Sequence, residues 1–242
     1  SDKKVSNTSM SAPISGKGDQ AKPAAEYVDI KLKKKRFFEY LLPMITITNE
    51  QVLKERRKLL TLHKRYTQSA ELSLSDLSQL TVISNKYKLT FDSQEEMTNP
   101  QTHIENLLTK VDLIPASLIL AQSANESAWG TSRFAQQGNA LFGQWTYDGN
   151  GIKPAGADAE DTHKVMKFKI LKASVRAYQR NLNTHKSYKK FRKVRAIQRD
   201  VYGSLNSLEL ANYLDKYAET GIEYVKILKQ IIEQNKLTDF DD

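Results

Sequence analysis

Glycine and tryptophan are unevenly spread along this chain, and that unevenness limits its fold more than any other feature. Six of the ten glycines (Gly130, Gly138, Gly143, Gly149, Gly151, Gly156) and both tryptophans, Trp129 and Trp145, fall between residues 129 and 156. Glycine permits tight turns and close approach of a ligand to backbone, so this stretch reads as a loop-rich lobe. A hairpin turning at Asp148-Gly149-Asn150-Gly151 suits it. Met166, Phe168 and Ile170 alternate with Lys167 and Lys169, the pattern of a short strand.

Helical periodicity stands on both sides of the lobe. Phe37, Phe38, Tyr40, Leu41 and Leu42 lead into Pro43, and Thr48 with Gln51 has the form of a capping box opening a helix that carries Val52, Leu53, Leu59 and Leu60. Further helices are expected over 74–87, 101–110 and 114–126, the last with Pro115 in its first turn, where a missing N–H has no intrahelical partner. After the lobe come helices around Val175, Tyr178 and Leu182, across the strongly basic 188–199, and over 208–217. Tyr224, Ile227, Leu228, Ile231 and Ile232 mark a last one with a single buried stripe. The opening residues are small and polar and cannot bury enough surface to offset chain entropy. The expected organisation is a disordered tail or linker over 1–28, an accessory helical region over 29–110 and a mainly α domain with a small β-hairpin lobe over 111–242.

The net charge of +9 favours an anionic partner (nucleic acid, anionic lipid or an acidic wall polymer) or simply a solvated basic surface. No aromatic–basic recognition motif supports nucleic acid. The absence of cysteine excludes thiolate zinc sites, disulfides and thiol nucleophiles. His63, His103, His163 and His185 lack the His-Glu-x-x-His spacing of a metalloprotease. Asp148-x-Asn150 begins like a calcium loop, but Ile152 and Lys153 break it. No metal or cofactor is expected. No apolar stretch approaches the ~20 residues of a membrane span. The polar residues after Ser1 show no signal peptide, an appearance that cleavage or truncation would also leave.

The segment with chemistry in it is Ala121-Gln122-Ser123-Ala124-Asn125-Glu126-Ser127-Ala128-Trp129-Gly130. It sets a carboxylate at the end of an apolar helix, beside an aromatic ring and at the entrance to the glycine-rich lobe. Partial desolvation there would raise the carboxyl pKa, and a neutral carboxylic acid near neutral pH is what protonation of a glycosidic leaving group needs. An isolated glutamate in such a place reads more simply as a surface residue beside a helix cap.

The longer pattern, continued by Ser132-Arg133-Phe134-Ala135 and Asn139-Ala140-Leu141-Phe142-Gly143, resembles the glucosaminidase family of cell-wall lytic enzymes, and within it the Bax-type proteins. The resemblance extends to Arg36–Pro43 and to Asn181–His185 with Tyr188, and spans about 30–235. It implies a lysozyme-like fold and hydrolysis of a β-1,4 bond after N-acetylglucosamine in peptidoglycan, with Glu126 as general acid. It implies an exported, periplasmic or envelope protein, expected to be a monomer, that works on glycan strands. By the same resemblance Asn139, Leu141, Phe142 and Gly143 line the sugar cleft, with Gln144 adjoining, and Tyr217 and Tyr224 enter it from a late Tyr-Ala segment. Trp145 and Tyr147 offer flat faces for stacking on sugars, whereas Trp129 reads as core. Bax-type relatives often carry His-Glu-Val where this chain has His163-Lys164-Val165, and lysine cannot act as a base there. Among Asp148, Asp158, Glu160 and Asp161, the expected second carboxylate is Glu160 or Asp161; the substrate's own acetamido group is the alternative. A lytic transglycosylase and a non-catalytic wall- or partner-binding module remain as other readings.

Overall fold

The structure is a computed structural model that describes the backbone of residues 24–146, 151–152, 164–166 and 169–241, and the side chains of 29–144 and 169–241. The described chain is mainly helical. Its order is α1 (Ala24–Ser69), α2 (Leu74–Lys86), α3 (Gln94–Thr98), α4 (Gln101–Lys110), α5 (Ala116–Glu126), α6 (Arg133–Gly138), β1 (Trp145–Thr146), β2 (Gly151–Ile152), β3 (Lys164–Met166), α7 (Leu171–Thr184), α8 (Lys189–Tyr202), α9 (Ser207–Leu210) and α10 (Ile222–Gln234), with short 3₁₀ turns after α7, α9 and α10.

One long helix dominates. The expected break at Pro43 and capping box at Thr48 do not exist: α1 runs unbroken through both for 46 residues. Proline removes only the bond to the carbonyl one turn back. On either side of it Phe38, Leu41 and Ile45 are buried in the main core, and that packing outweighs the lost bond. Thr48 caps nothing; its hydroxyl donates 3.0 Å to the Ile45 carbonyl within the helix. Residues 24–28, expected in the tail, are already helical, in keeping with the high helix propensity of Ala24 and Ala25.

The length of α1 lets it serve two cores. Val52, Leu59 and Leu62 pack with Leu80, Ile83, Tyr87, Phe91, Ile104 and Leu107 in a smaller cluster built by α1, α2 and α4. The first half of α1 packs with α5, α7 and α10 in a larger one. α5 runs through that larger core and buries Leu118, Ile119, Leu120, Ala121 and Ala124.

The three strands are short and antiparallel, in the order β1-β3-β2. Trp145 pairs with Val165, and Ile152 with the same Val165 from the other side. The segments flanking the expected 148–151 turn therefore do not pair with each other, because β3 lies between them. Residues 148–150 lie outside the described residues. The expected strand 166–170 is shorter than its alternation suggested: Met166 ends β3, Phe168 lies outside the described residues, and Ile170 precedes α7. The expected helix over 208–217 is one turn of α9 followed by a 3₁₀ turn, Ala211–Leu214.

Candidate active site

The site is built outward from the ends of α5. The loop feeding that helix is held by buried arginines. Arg195 lies wholly buried and donates to the carbonyls of Thr109, Lys110, Asp112 and Leu113 and to Asn183 Oδ1, at 2.7–3.2 Å. Arg195 thus gathers carbonyls at the end of α4, two of which also accept elsewhere: Lys110 from the Asp112 amide and Asp112 from Asn183 Nδ2. Arg199 grips the buried Asp112 carboxylate with two bonds of 2.9 and 3.0 Å, and Arg56 stands 3.8 Å away. These guanidinium groups hold the Asp112 carboxyl below the usual carboxylate range against burial, which acts the other way. At the first turn of α5, where Pro115 has no capping side chain, Asp241 serves instead. Its carboxylate accepts from the Ser117 amide at 2.8 Å and the Ser117 hydroxyl at 2.7 Å. A negative group at a helix N-terminus also meets the favourable end of the helix dipole.

The other end of α5 is tied off tightly. Buried Ser127 donates its hydroxyl to the Ser123 carbonyl at 2.6 Å and accepts from the Gly130 amide at 2.8 Å. Ala128, Trp129 and Gly130 follow in left-handed backbone, φ +48°, +59° and +79°. At Gly130 a side chain would meet the Phe37 ring at 3.2 Å, so the turn requires glycine on both counts. Trp129 packs edge-on against Phe37 and Phe38 of α1, at 6.0 and 5.3 Å between centroids, and Lys34 caps its ring at 4.5 Å. Trp129 is thus core, as its sequence position suggests.

Glu126 is the last residue of α5 and is half-buried. Burial raises its carboxyl above the ordinary glutamate range, opposed in part by hydrogen bonds from Tyr224 and Asn125. The negative end of the helix dipole lies nearby and also disfavours an anion there. On one side the backbone comes very close: a Cβ placed on Gly143 would stand 3.3 Å from Glu126 Oε2. Gly143 has φ +61°, so both conformation and proximity demand glycine.

Behind the carboxylate lies a group of tyrosines. Tyr224 accepts 2.8 Å from Gln122 Nε2, and Tyr178 donates to Gln122 Oε1. Tyr217 stacks on Tyr224, with centroids 5.8 Å apart and planes 5° from parallel. Its hydroxyl donates to the Phe142 carbonyl at 2.8 Å and so suspends the Phe142–Gly143 backbone beside the acid. Burial raises the pKa of all four nearby tyrosines, Tyr188 to about 12.

Of the expected site residues, Glu126, Gly143, Tyr217 and Tyr224 come together. Phe142 joins them through its carbonyl alone. Its ring, expected in the cleft, is 2% exposed and stacks on Tyr178 at 4.2 Å, so the core takes it rather than a sugar. Leu141 is likewise buried, its amide 3.4 Å from the Ser174 hydroxyl. Asn139 caps α6 in left-handed backbone. It shares with Trp129, Leu141, Phe37 and the rim residues Lys34 and Arg36 a groove of about 600 Å³ along α1, to which Glu126 does not contribute. Gln144 is half-buried, and its Oε1 has no partner among the described residues. Trp145 pairs by backbone in β1. Its side chain, together with Tyr147, Asp148, Asp158, Glu160 and Asp161, lies outside the described residues. Gln122 and Tyr178 were not singled out from sequence. The signal for Gln122 was present, since it is a long polar side chain one turn before Glu126 in a run otherwise of apolar residues and serines.

Among the described residues no cluster of metal-ligating side chains occurs, and no helix is long and apolar enough to cross a membrane. What the arrangement can do is favour the neutral form of one half-buried carboxyl group and set it beside the close-approaching Gly143 backbone.

The glucosaminidase family model, described as mannosyl-glycoprotein endo-beta-N-acetylglucosaminidase, matches residues 101–237, which include α5, the tyrosines and Gly143. Protein bax of Escherichia coli (strain K12) is 31% identical over 204 residues, covering 84% of this chain and 70% of that protein. No solved structure matches. With more than half its length under the family model and 31% identity to Protein bax over most of the chain, the chain belongs to the glucosaminidase family.

Proposed function

We propose that this protein is an exported peptidoglycan hydrolase that cleaves the β-1,4 bond after N-acetylglucosamine, with Glu126 as the general acid. The supporting observation is the Glu126 carboxyl itself, lifted by burial at the tip of α5 and backed by Tyr224. A glycosidic oxygen leaves far more readily once protonated, and an acid that stays neutral near neutral pH can supply that proton. The charge that develops on the sugar ring is oxocarbenium-like, and water completes the reaction on it. We assign the second role to Glu160 or Asp161 or, in their place, to the substrate acetamido group. The hydrogen bonds and burial acting on Glu126 come from Tyr224 and Asn125 and the core around them, none of them acidic. In this reading the lysozyme-like part is 111–242, and 29–110 is accessory. Tyr217 acts by holding the Phe142 carbonyl rather than by touching substrate, and Asn139, Gln144, Trp145 and Tyr147 are contacts for the glycan.

Digestion of purified sacculi tests the proposal. Released fragments should carry new reducing N-acetylglucosamine ends by mass spectrometry, and Glu126→Gln should abolish them. Anhydro-sugar ends would instead identify a transglycosylase, and glycan binding with no new ends a non-catalytic module; either outcome refutes the hydrolase assignment.

A further inference from the structure

The basic helix α8 carries more charge than its core contacts use. Between Asp161 and Asp200 the chain holds thirteen lysines and arginines and no aspartate or glutamate, while the rest of it holds 24 cations against 28 acids. The net positive charge of the molecule therefore belongs to α7, α8 and the residues that lead into them. Within α8 the two cation types divide by face. Arg192 donates to the Leu182 and His185 carbonyls, Arg195 to the end of α4, and Arg199 to Asp112, so all three arginines turn inward. Lys189, Lys190 and Lys193 are exposed, and among the described residues none of them has a carboxylate partner. At 3.6 residues per turn, these lysines fall with Ile197 and Val201 within about a third of the helix circumference. Ile197 and Val201 are 48% and 62% exposed, so this outer face begins with lysines and ends with apolar side chains in solvent. Asp200 is the one acid in that sector.

We propose that the outer face of α8 is a docking surface for an anionic lipid bilayer. Lysines near such a surface gain from its negative potential. Their four-carbon stems let the ammonium groups stay at the level of the phosphates while Ile197 and Val201 reach the apolar boundary beneath. Other occupants fit this face less well. A single nucleic-acid strand or a glycan would use aromatic or guanidinium planes, and the sector holds neither. A second copy packed face to face would set lysines against lysines. The basic run in the first turns of α1 suits the task less, because Lys33 and Lys35 there are paired with Asp29 and Glu39. Docking through α8 holds the domain beside a membrane whether or not Glu126 is an acid.

Sedimentation of the full chain with vesicles tests this. Wild type should bind vesicles of phosphatidylcholine containing about one-third phosphatidylglycerol, should not bind phosphatidylcholine alone, and should be released as salt rises from about 0.05 to about 0.3 M. Lys189→Gln, Lys190→Gln and Lys193→Gln together should weaken binding about 100-fold, at about fivefold for each charge. Ile197→Ser with Val201→Ser should weaken it about tenfold. Asp200→Asn should strengthen it about fivefold. All these side chains are exposed, so the variants should keep the helix content and Tm of wild type. Absence of binding by wild type, or equal binding by the triple lysine variant, overturns the proposal. An Ile197→Ser/Val201→Ser variant that binds as tightly as wild type overturns it too, and leaves a site for polyanions in general.

Discussion

Replacing Glu126 with glutamine should make the protein more stable as well as inactive, and the gain should depend on pH. Burial favours the neutral carboxyl, so the folded pKa lies above the unfolded value near 4.5. Below that value both states are protonated and the side chain carries no penalty. As pH rises between the unfolded and folded values, the unfolded chain releases its proton and the folded one retains it. Folding is disfavoured progressively across this window, and above the folded value the full penalty applies. A folded pKa one pH unit above the unfolded one amounts to about 1.4 kcal/mol. In a chain of 242 residues, 1 kcal/mol moves Tm by roughly 2–4 °C. Glutamine keeps the shape, still accepts from Tyr224 and carries no charge. By calorimetry Glu126→Gln and wild type should melt together near pH 4. By pH 8 the variant should melt higher, by about 3–5 °C for every pH unit separating the folded from the unfolded pKa. Activity on sacculi should fall by about 10²–10⁴-fold, the usual share of a general acid. A variant that melts at or below wild type at pH 8, or a gap that does not widen from pH 4 to pH 8, would show that Glu126 is not held neutral, and the acid assignment would fall with it.

Three further perturbations follow from the supports of α5. Arg195→Met removes the donor to five buried acceptors, Thr109 O, Lys110 O, Asp112 O, Leu113 O and Asn183 Oδ1, and should cost about 3–5 kcal/mol, read as a Tm drop of about 10 °C. Asp241→Ala leaves the Ser117 amide without a side-chain acceptor and should cost about 1 kcal/mol in chemical denaturation, with little loss of rate at a temperature where the fold is intact. Gly143→Ala forces a side chain into left-handed backbone at about 1–2 kcal/mol and drives a methyl against Glu126 Oε2. Its loss of activity, measured on folded protein, should exceed what that modest destabilisation explains.

The sequence made the acid legible and its supports much less so. Glu126 closed an apolar run before a glycine-rich stretch, a pattern that alone reads as a surface residue; the longer family-like segment around it gave it its expected role. Gly143 was legible through the same resemblance. The rest depended on pairings that no spacing encodes. Tyr178 reaches Gln122 across 56 positions, and Asp241 reaches Ser117 across 124. Phe142 read as a cleft aromatic because nothing local distinguishes a ring offered to sugar from one stacked on a distant tyrosine. The basic helix α8 misled in another way. The sequence marked it only as strongly basic, yet Arg192 and Arg195 are buried and Arg199 joins them in gripping the core. The spacing 192, 195 and 199 is that of a single helical stripe, and it coincides with the apolar stripe of Phe191 and Val194. Pro43 misled because a local rule about helix breakers gave way to tertiary packing on both sides of it.

The placement of those supports separates two properties that a glycan-cleaving site must combine. The surroundings of Glu126, the proposed acid, belong to the helical core: α5 is anchored by Asp241 at its start and by Ser127 and the Trp129 turn at its end, Tyr224 comes from α10, and the Gly143 backbone hangs from Tyr217. None of these anchors belongs to the segment between Trp145 and Met166, in which the proposed glycan contacts Trp145 and Tyr147 and the proposed second carboxylates Glu160 and Asp161 lie. On the proposed function, the surroundings of the carboxyl are in place before any substrate arrives, because every support named here lies in the helical part of the chain. Gly143 marks the seam. It stands where backbone comes close to the Glu126 carboxyl, at the start of the stretch that leads into β1. For that reason its substitution should damage turnover out of proportion to the stability it costs.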